Sequence, residues 1–407
     1  MLRVRVAALW RVALVVAGGV FFNSLAPAQA ATVCIESAVN YAEPDVGAVC
    51  SAIVADPNSS KAARIEALIV RGIWHDKAGR LQDAKRDYEQ GLALAPDHAK
   101  LIALRAGVHY LEGELKEARA MAEKSVQIDP ASSNTFTLLA SIARQSGDLR
   151  GALGYSNKAI EINPENARAR YDRANILIWM GRPREALADI EWLTAQPPAV
   201  LDKRGEIWFE GVTISYTLAS HLIFAQVLRA LDRYEEAEAA YNKIVADEPS
   251  GLTLTMRSKF LHGLPIGAGM RNRLQEALAD AKRAVRLAPA SAMAQLQLSS
   301  TLEYSGHATE ALEALDCALR LEDDVSMRPP MLWRRARLLR TMGRAHEAEE
   351  TGRESLLLGQ ELNHHFLLDR LARLKVMGYW LEPASVEQVG AAVADAVKAC
   401  MADEKCW

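Results

Sequence analysis

The sequence predicts an all-α chain, an α-solenoid of stacked helix–turn–helix units, and three regularities predict it. The prolines Pro96, Pro130, Pro164 and Pro198 stand 34 residues apart. The glycines Gly79, Gly113, Gly147 and Gly181 keep the same 34-residue step. So do the small residues five places after each glycine: Ala84, Ala118, Ala152 and Ala186. A fixed period of roughly 20–50 residues marks a stacked-repeat architecture, because one unit cannot bury its apolar face without its neighbours.

Each unit explains its own residue types. In the first, Ile65–Ala78 and Leu81–Ala95 read as two helical runs, with Gly79 closing the turn between them. A helix end often needs a positive φ, which glycine adopts without steric cost. Gly72, Ala106, Ala140 and Ala174 sit seven residues before the turn glycine. Small side chains there and at 84, 118, 152 and 186 let antiparallel helices approach closely. The proline cannot continue the second helix and sends the chain into the next unit.

The small–turn–small–proline series, carried in segments such as GRLQDAKRDYEQGLALAP and GRPREALADIEWLTAQP, resembles the tetratricopeptide repeat family. The resemblance covers about Ile65–Leu362, tightly to Pro198 and more loosely beyond. It implies a right-handed superhelix of helix pairs whose concave face binds peptides or partner proteins. Family members that grip the acidic C-termini of cytosolic chaperones use lysine, asparagine and arginine on their first three units. The matching places here are Ile69, Ile73, Leu104, Asn134 and Leu138, so that clamp is missing. By the same resemblance the inward places of the first helices are Ile69, Ile73, Leu104, Asn134, Thr137 and Ser141. In the fourth unit they are Arg168, Tyr171, Asp172 and Asn175. Tyr171, Asp172 and Asn175 are the favoured partner-binding candidates, with Arg168 and Asn134 beside them.

Taken in order, residues 1–30 read as a secretory signal. Arg3, Arg5 and Arg11 give a positive start, Val12–Phe22 is an apolar run, and Ala28-Gln29-Ala30 has the small–x–small pattern of a cleavage site. The run falls well short of the roughly 20 residues that span a bilayer. A periplasmic location follows as the expectation, with a mature chain that does not span the membrane. Residues 31–60 read as an N-terminal capping hairpin, Thr32–Tyr41 and Pro44–Ala55, with one cysteine on each half: Cys34 and Cys50. In an oxidising compartment these can close a staple, which for a loop of about 15 residues is worth roughly 3 kcal/mol. Cys400 and Cys406 form a second candidate pair, and Cys317 is left over.

Residues 61–200 hold the four regular repeats, and 201–217 (LDKRGEIWFEGVTISYT) form an insertion. Four less regular repeats follow over 218–362. In the fifth, Asp232 takes the place of the turn glycine. The sixth, about Ser258–Ser291, has a poor first helix, since Gly263, Pro265, Gly267 and Gly269 break it. Residues 363–407 read as C-terminal capping helices.

No nucleophile elbow, phosphate loop, zinc spacing or dinucleotide fingerprint is present in the sequence. His364-His365 is a lone pair of neighbours pointing in different directions on a helix, so neither metal nor cofactor is expected. The chain carries a net charge of −3, and the three arginines of the leader make the remainder more negative still. With no basic block, nucleic acid is a poor partner. The acidic residues read as a solvated helix face. Two functions are consistent with this. The first is a non-catalytic scaffold holding another envelope protein or an extended peptide in its groove. The second is an envelope-polymer-binding or enzyme-like protein with its site in the 201–217 insertion or the C-terminal helices. There Trp208, Phe209 and Trp380 have rings able to stack on sugars, and Trp208 and Phe209 are equally placed to overhang the groove as a lid.

Overall fold

The structure, a computed structural model, describes residues 46–202, 206–209, 212–265 and 273–361. The leader, Cys34, Gly267, Gly269, His364, His365, Trp380, Cys400 and Cys406 lie outside the described residues. Among the described residues there are eighteen α-helices and one two-stranded hairpin, so the chain is all-α and solenoid in kind. It divides into two compact units, residues up to Ile176 and residues from Leu177, with the boundary inside one helix, α8 (Ala167–Trp179).

The first unit opens with α1 (Val46–Ala55), which packs on α2 (Lys61–Lys77) through Val46, Cys50, Ile53, Ala67 and Val70. Antiparallel pairs follow: α2 with α3 (Leu81–Leu94), α4 (Ala99–Leu111) with α5 (Leu115–Ile128), and α6 (Ser133–Gln145) with α7 (Leu149–Ile162). The turns between partners are closed by Gly79, Gly113 and Gly147, at φ of 71°, 80° and 79°. Small residues sit where the helices meet: Ala84, Ala106, Ala118 and Ala152 are fully buried. At Gly72 the packing leaves no room for a side chain, because a β-carbon there would lie 2.3 Å from the buried Tyr88 ring. Ile69 and Leu104 join this core rather than a groove, packed with Ile65, Tyr88 and Leu101. Asn166 keys the last pair: its carbonyl caps α8 at the Ala169 amide, 3.0 Å away. Its amide donates to Ser133 Oγ at 2.7 Å and Thr137 Oγ1 at 3.1 Å.

In the second unit α9 (Pro183–Thr194) and a short α10 (Pro198–Leu201) precede a departure from the all-helical expectation. Within the 201–217 insertion, β1 (Glu206–Phe209) pairs antiparallel with β2 (Val212–Ser215). Both segments are rich in β-branched and aromatic residues, which suit a pleated ribbon better than a helix. Paired helices then resume: α11 (Tyr216–Ala230) with α12 (Tyr234–Asp247), and α13 (Gly251–His262) with α14 (Leu274–Leu287). The last two pairs are α15 (Ala292–Tyr304) with α16 (Ala308–Leu321), and α17 (Arg328–Thr341) with α18 (Ala345–Glu361). Asp232 adopts the positive φ of the turn glycine, 60°, and Gly306 and Gly343 do so at 80° and 76°. Helix α13 lies ahead of the place that the repeat spacing assigns. Ser250 and Thr253 form a reciprocal N-cap that starts it at Gly251, and Gly263 ends it.

A recurrent arginine, one place before the small residue in five of the first helices, ties the stacks together. Arg71, beside Gly72, reaches Asp87 on its own second helix at 2.6 Å and Ser51 on the helix before at 2.8 Å. Arg105 reaches Glu89 and Arg173 reaches Asn157, both on the preceding second helix. Arg257 grips Asp280 with two bonds of 2.7 Å and touches Asn242 at 3.1 Å; Arg335 bridges Asp316 and Thr351. Asp87 and Asp280 are buried, so these acids are not the solvated face that the sequence reading assigned them.

Candidate partner-binding groove

The family resemblance assigns the inward side of each first helix to places counted back from the turn glycine. In the fourth repeat, Arg168, Tyr171, Asp172 and Asn175 stand thirteen, ten, nine and six residues before Gly181. The structure gives several of these packing roles. Tyr171 is 6% exposed and Asp172 is 5% exposed. The Asp172 carboxylate accepts from Arg168 Nε at 2.7 Å, and the Asn175 amide donates to the Tyr171 carbonyl at 2.9 Å. Arg168 and Asn175 stay half-buried, and Asn134 is exposed. Trp208 and Phe209 lie on β1 in the second unit, in register with Thr213 and Val212. Thr137 and Ser141 are buried.

The same count from Gly343 gives Pro330, Trp333, Arg334 and Arg337, all on α17. In the structure these four line one open cleft of about 480 Å³, completed by Ser300 and Tyr304 of α15 and His262 at the end of α13. Three successive first helices of the second unit therefore contribute. The sequence reading did not single these residues out, although the count from the turn glycine was available in the sequence.

Electrostatics in the cleft centres on Glu303. Arg334 donates to it from Nε at 3.0 Å and Nη2 at 2.7 Å, and its Nη1 donates to Ser300 Oγ. Arg337 Nη2 donates to the other Glu303 oxygen at 2.5 Å, while its Nε finds no partner among the described residues. Two guanidiniums thus share one carboxylate. Burial holds His262 below the ordinary imidazole value, Arg334 adds to that lowering, and Glu303 opposes it. Its ring meets the Tyr304 ring edge-on at 4.5 Å, steadying a tyrosine that is 68% exposed.

A second cluster, His109, Glu112 and Glu114 in the first unit, brings three ligand-type atoms within 4.8 Å of one another. Its hydrogen bonds use it up. Arginine can only donate, so Arg105 at 2.8 Å makes His109 Nε2 the acceptor and leaves the proton on Nδ1, which Glu114 accepts. Gln82 and Lys85 occupy Glu112. No nitrogen lone pair faces the carboxylates, and the cluster is an ion-pair network.

Comparison with known proteins fits the repeat reading. The tetratricopeptide repeat family model matches residues 77–142 and 143–196. No curated protein sequence matches the chain significantly. Among solved structures, a tetratricopeptide repeat protein from Parabacteroides merdae ATCC 43184 is similar, with 17% identity and a TM-score of 0.49. The match covers 64% of this chain and 94% of that one. Pseudomonas aeruginosa pilF has 18% identity and a TM-score of 0.45, covering 60% of this chain and 98% of its own. An O-GlcNAc transferase from Thermobaculum terrenum is 21% identical over 35% of this chain and 29% of its own, with a TM-score of 0.32. Over residues 77–196, where the family model matches, the chain carries tetratricopeptide repeats.

Proposed function

We propose that this protein is a non-catalytic interaction scaffold, exported to the periplasm, that holds a partner protein or an extended peptide against the first helices of its repeats. The observation that carries the reading is the α13–α15–α17 cleft. It falls on the repeat places that face inward, and it joins an exposed aromatic ring to fixed charges, the mixture that recognition surfaces use. The first-unit set Asn134, Arg168 and Asn175 offers a second polar patch at equivalent places, next to the buried Tyr171 and Asp172.

Export is supported by the basic, apolar and small–x–small order of residues 1–30. Among the described residues no helix is long and apolar enough to cross a membrane. The Cys34–Cys50 staple belongs to the same proposal. Cys50 is fully buried against the first repeat, and Cys317 is the free thiol of the described residues. Photo-crosslinking from position 304 in intact cells tests the reading. Discrete adducts that disappear in a Trp333→Ala variant are expected. Adducts no different from those formed at exposed Lys282, on the second-helix side, would refute it.

A further inference from the structure

We infer that the cleft carries an acid-operated switch: a proton gained by His262 drives its ring away from Tyr304 and leaves that tyrosine unbraced. What this means for a partner rests on the groove reading above; the switch itself does not. Three features of the cleft carry it.

The first is the brace. Tyr304 ends α15 and is 68% exposed, and the ring that meets it is His262, with centroids 4.5 Å apart and planes at 70°. Neither His262 nitrogen has a hydrogen-bond partner among the described residues, so no polar bond anchors the imidazole in either protonation state.

The second is the charge around that ring. Arg334 and Arg337 share the cleft with His262 from α17, Arg229 of α11 approaches the next residue, Gly263, and Lys259 lies one turn earlier on α13. Against these four cations stands Glu303 of α15, which Arg334 and Arg337 already share. Burial and Arg334 therefore disfavour the charged imidazole, and Glu303 offsets only part of that. The Tyr304 π face attracts an imidazolium only weakly at so exposed a site.

The third is the exit. His262 is the last residue of α13, and the Gly263 that follows it is exposed and has no side chain to block the ring. Rotation about its own side-chain bonds carries a charged imidazole into water, while Tyr304 stays on its helix. The neutral ring is docked; a fall in pH through the folded imidazole value, which lies below 6.5, releases it. An unbraced tyrosine must be ordered again by whatever binds it, so acid weakens the cleft's hold.

The test uses the full mature chain with a fluorotyrosine at position 304 and ring-labelled histidine, followed by fluorine and histidine NMR between about pH 7.5 and 5. The His262 signal is assigned from its absence in His262→Phe. The fluorine signal should move in one step together with His262, at a midpoint below the ordinary value. His262→Phe keeps an uncharged ring against Tyr304, so its fluorine signal should stay flat. Arg334→Gln removes a cation and should raise the midpoint by about half a unit, and Glu303→Gln removes the counter-charge and should lower it. Opposite shifts from two substitutions in one cleft are not what loosened packing gives. The parent and His262→Phe titrations decide the matter even where a charge variant fails to fold. If position 304 stays flat while His262 titrates, or still titrates in His262→Phe, the switch does not exist. No partner is needed, so that failure leaves the groove reading standing. Conversely, if crosslinking from position 304 captures nothing specific, the groove reading falls and the titration still decides the switch.

Discussion

Replacing Asp280 with alanine isolates what one arginine clasp contributes to the stack. Asp280 is 7% exposed and accepts two bonds of 2.7 Å from Arg257, whose side chain is 22% exposed. Removing one partner of a fully buried ion pair costs about 3–5 kcal/mol, because the survivor is left charged and unpaired. Arg257 keeps a bond to Asn242 at 3.1 Å and some access to water, which reduces the expected loss to about 2 kcal/mol. For a unit of roughly 150–250 residues that is a melting shift of about 4–8 °C. Repeat arrays unfold in parts, so hydrogen exchange should show the protection loss concentrated in α13 and α14. The paired variant Arg257→Met, Asp280→Leu should recover most of the loss, since an apolar pair has no charge to strand. A single Asp280→Ala change that costs less than about 0.5 kcal/mol, the range of an ordinary surface substitution, would show that the clasp does not hold the helices together.

Overpacking tests the repeat register: Ala140→Leu should cost about 1–3 kcal/mol in denaturant unfolding, and an unchanged midpoint would mean that the small residue is not at the helix contact. Tyr171→Ala combined with Asn175→Ala should weaken capture of a partner by the first unit; since Tyr171 is buried, it should also lower the melting temperature, and binding equal to the parent would place the first-unit site elsewhere. Thiol labelling of unfolded, unreduced protein should modify Cys317 readily; equal labelling of Cys34 and Cys50 would eliminate the staple. The fold lowers the affinity of His262 for a proton, so its contribution to stability is intact above the ordinary imidazole value of 6.5 and drains away as pH falls from there towards the folded value. Melting temperature should therefore drop between about pH 7.5 and 5.5, and less steeply in His262→Asn; identical slopes would discount the burial of that imidazole.

Much of the fold was legible because repeat positions carry a strict steric demand. A left-handed turn residue and a small residue at each helix contact leave few choices, and Asp232 is informative because its φ of 60° follows the repeat even without glycine. The hairpin at Glu206–Ser215 was not legible as part of the array, since an insertion answers to no repeat rule. The start of α13 was missed for a related reason. Counting from the second helix of that repeat ignored the Ser250–Thr253 cap, a local hydrogen-bond signal that overrides period. The groove was legible only in part. The family resemblance says which places should face inward, yet burial decides which side chains there remain reachable, and burial depends on the packed neighbours. Tyr171 is covered and Tyr304 is exposed, although both stand on first helices.

The arginine clasps and the cleft also explain how one helix serves two ends without conflict. On α17, Arg334 and Arg335 are adjacent, and a helix rotates by about 100° per residue, so their side chains leave the axis in different directions. Arg334 turns to Glu303 and Ser300 in the cleft, while Arg335 turns to Asp316 and Thr351 between second helices. The clasp place comes just before the small residue Ala336, which the helix–helix contact fixes, and the cleft places flank it on the other side. The contact that sets the stack therefore also sets which residues the packing constrains: Arg337 and Tyr304 lie in the cleft, whereas Arg335 answers to its neighbouring helices. Under the proposed function, sequence variation at the cleft places alters recognition without touching the bonds that keep α16, α17 and α18 in register.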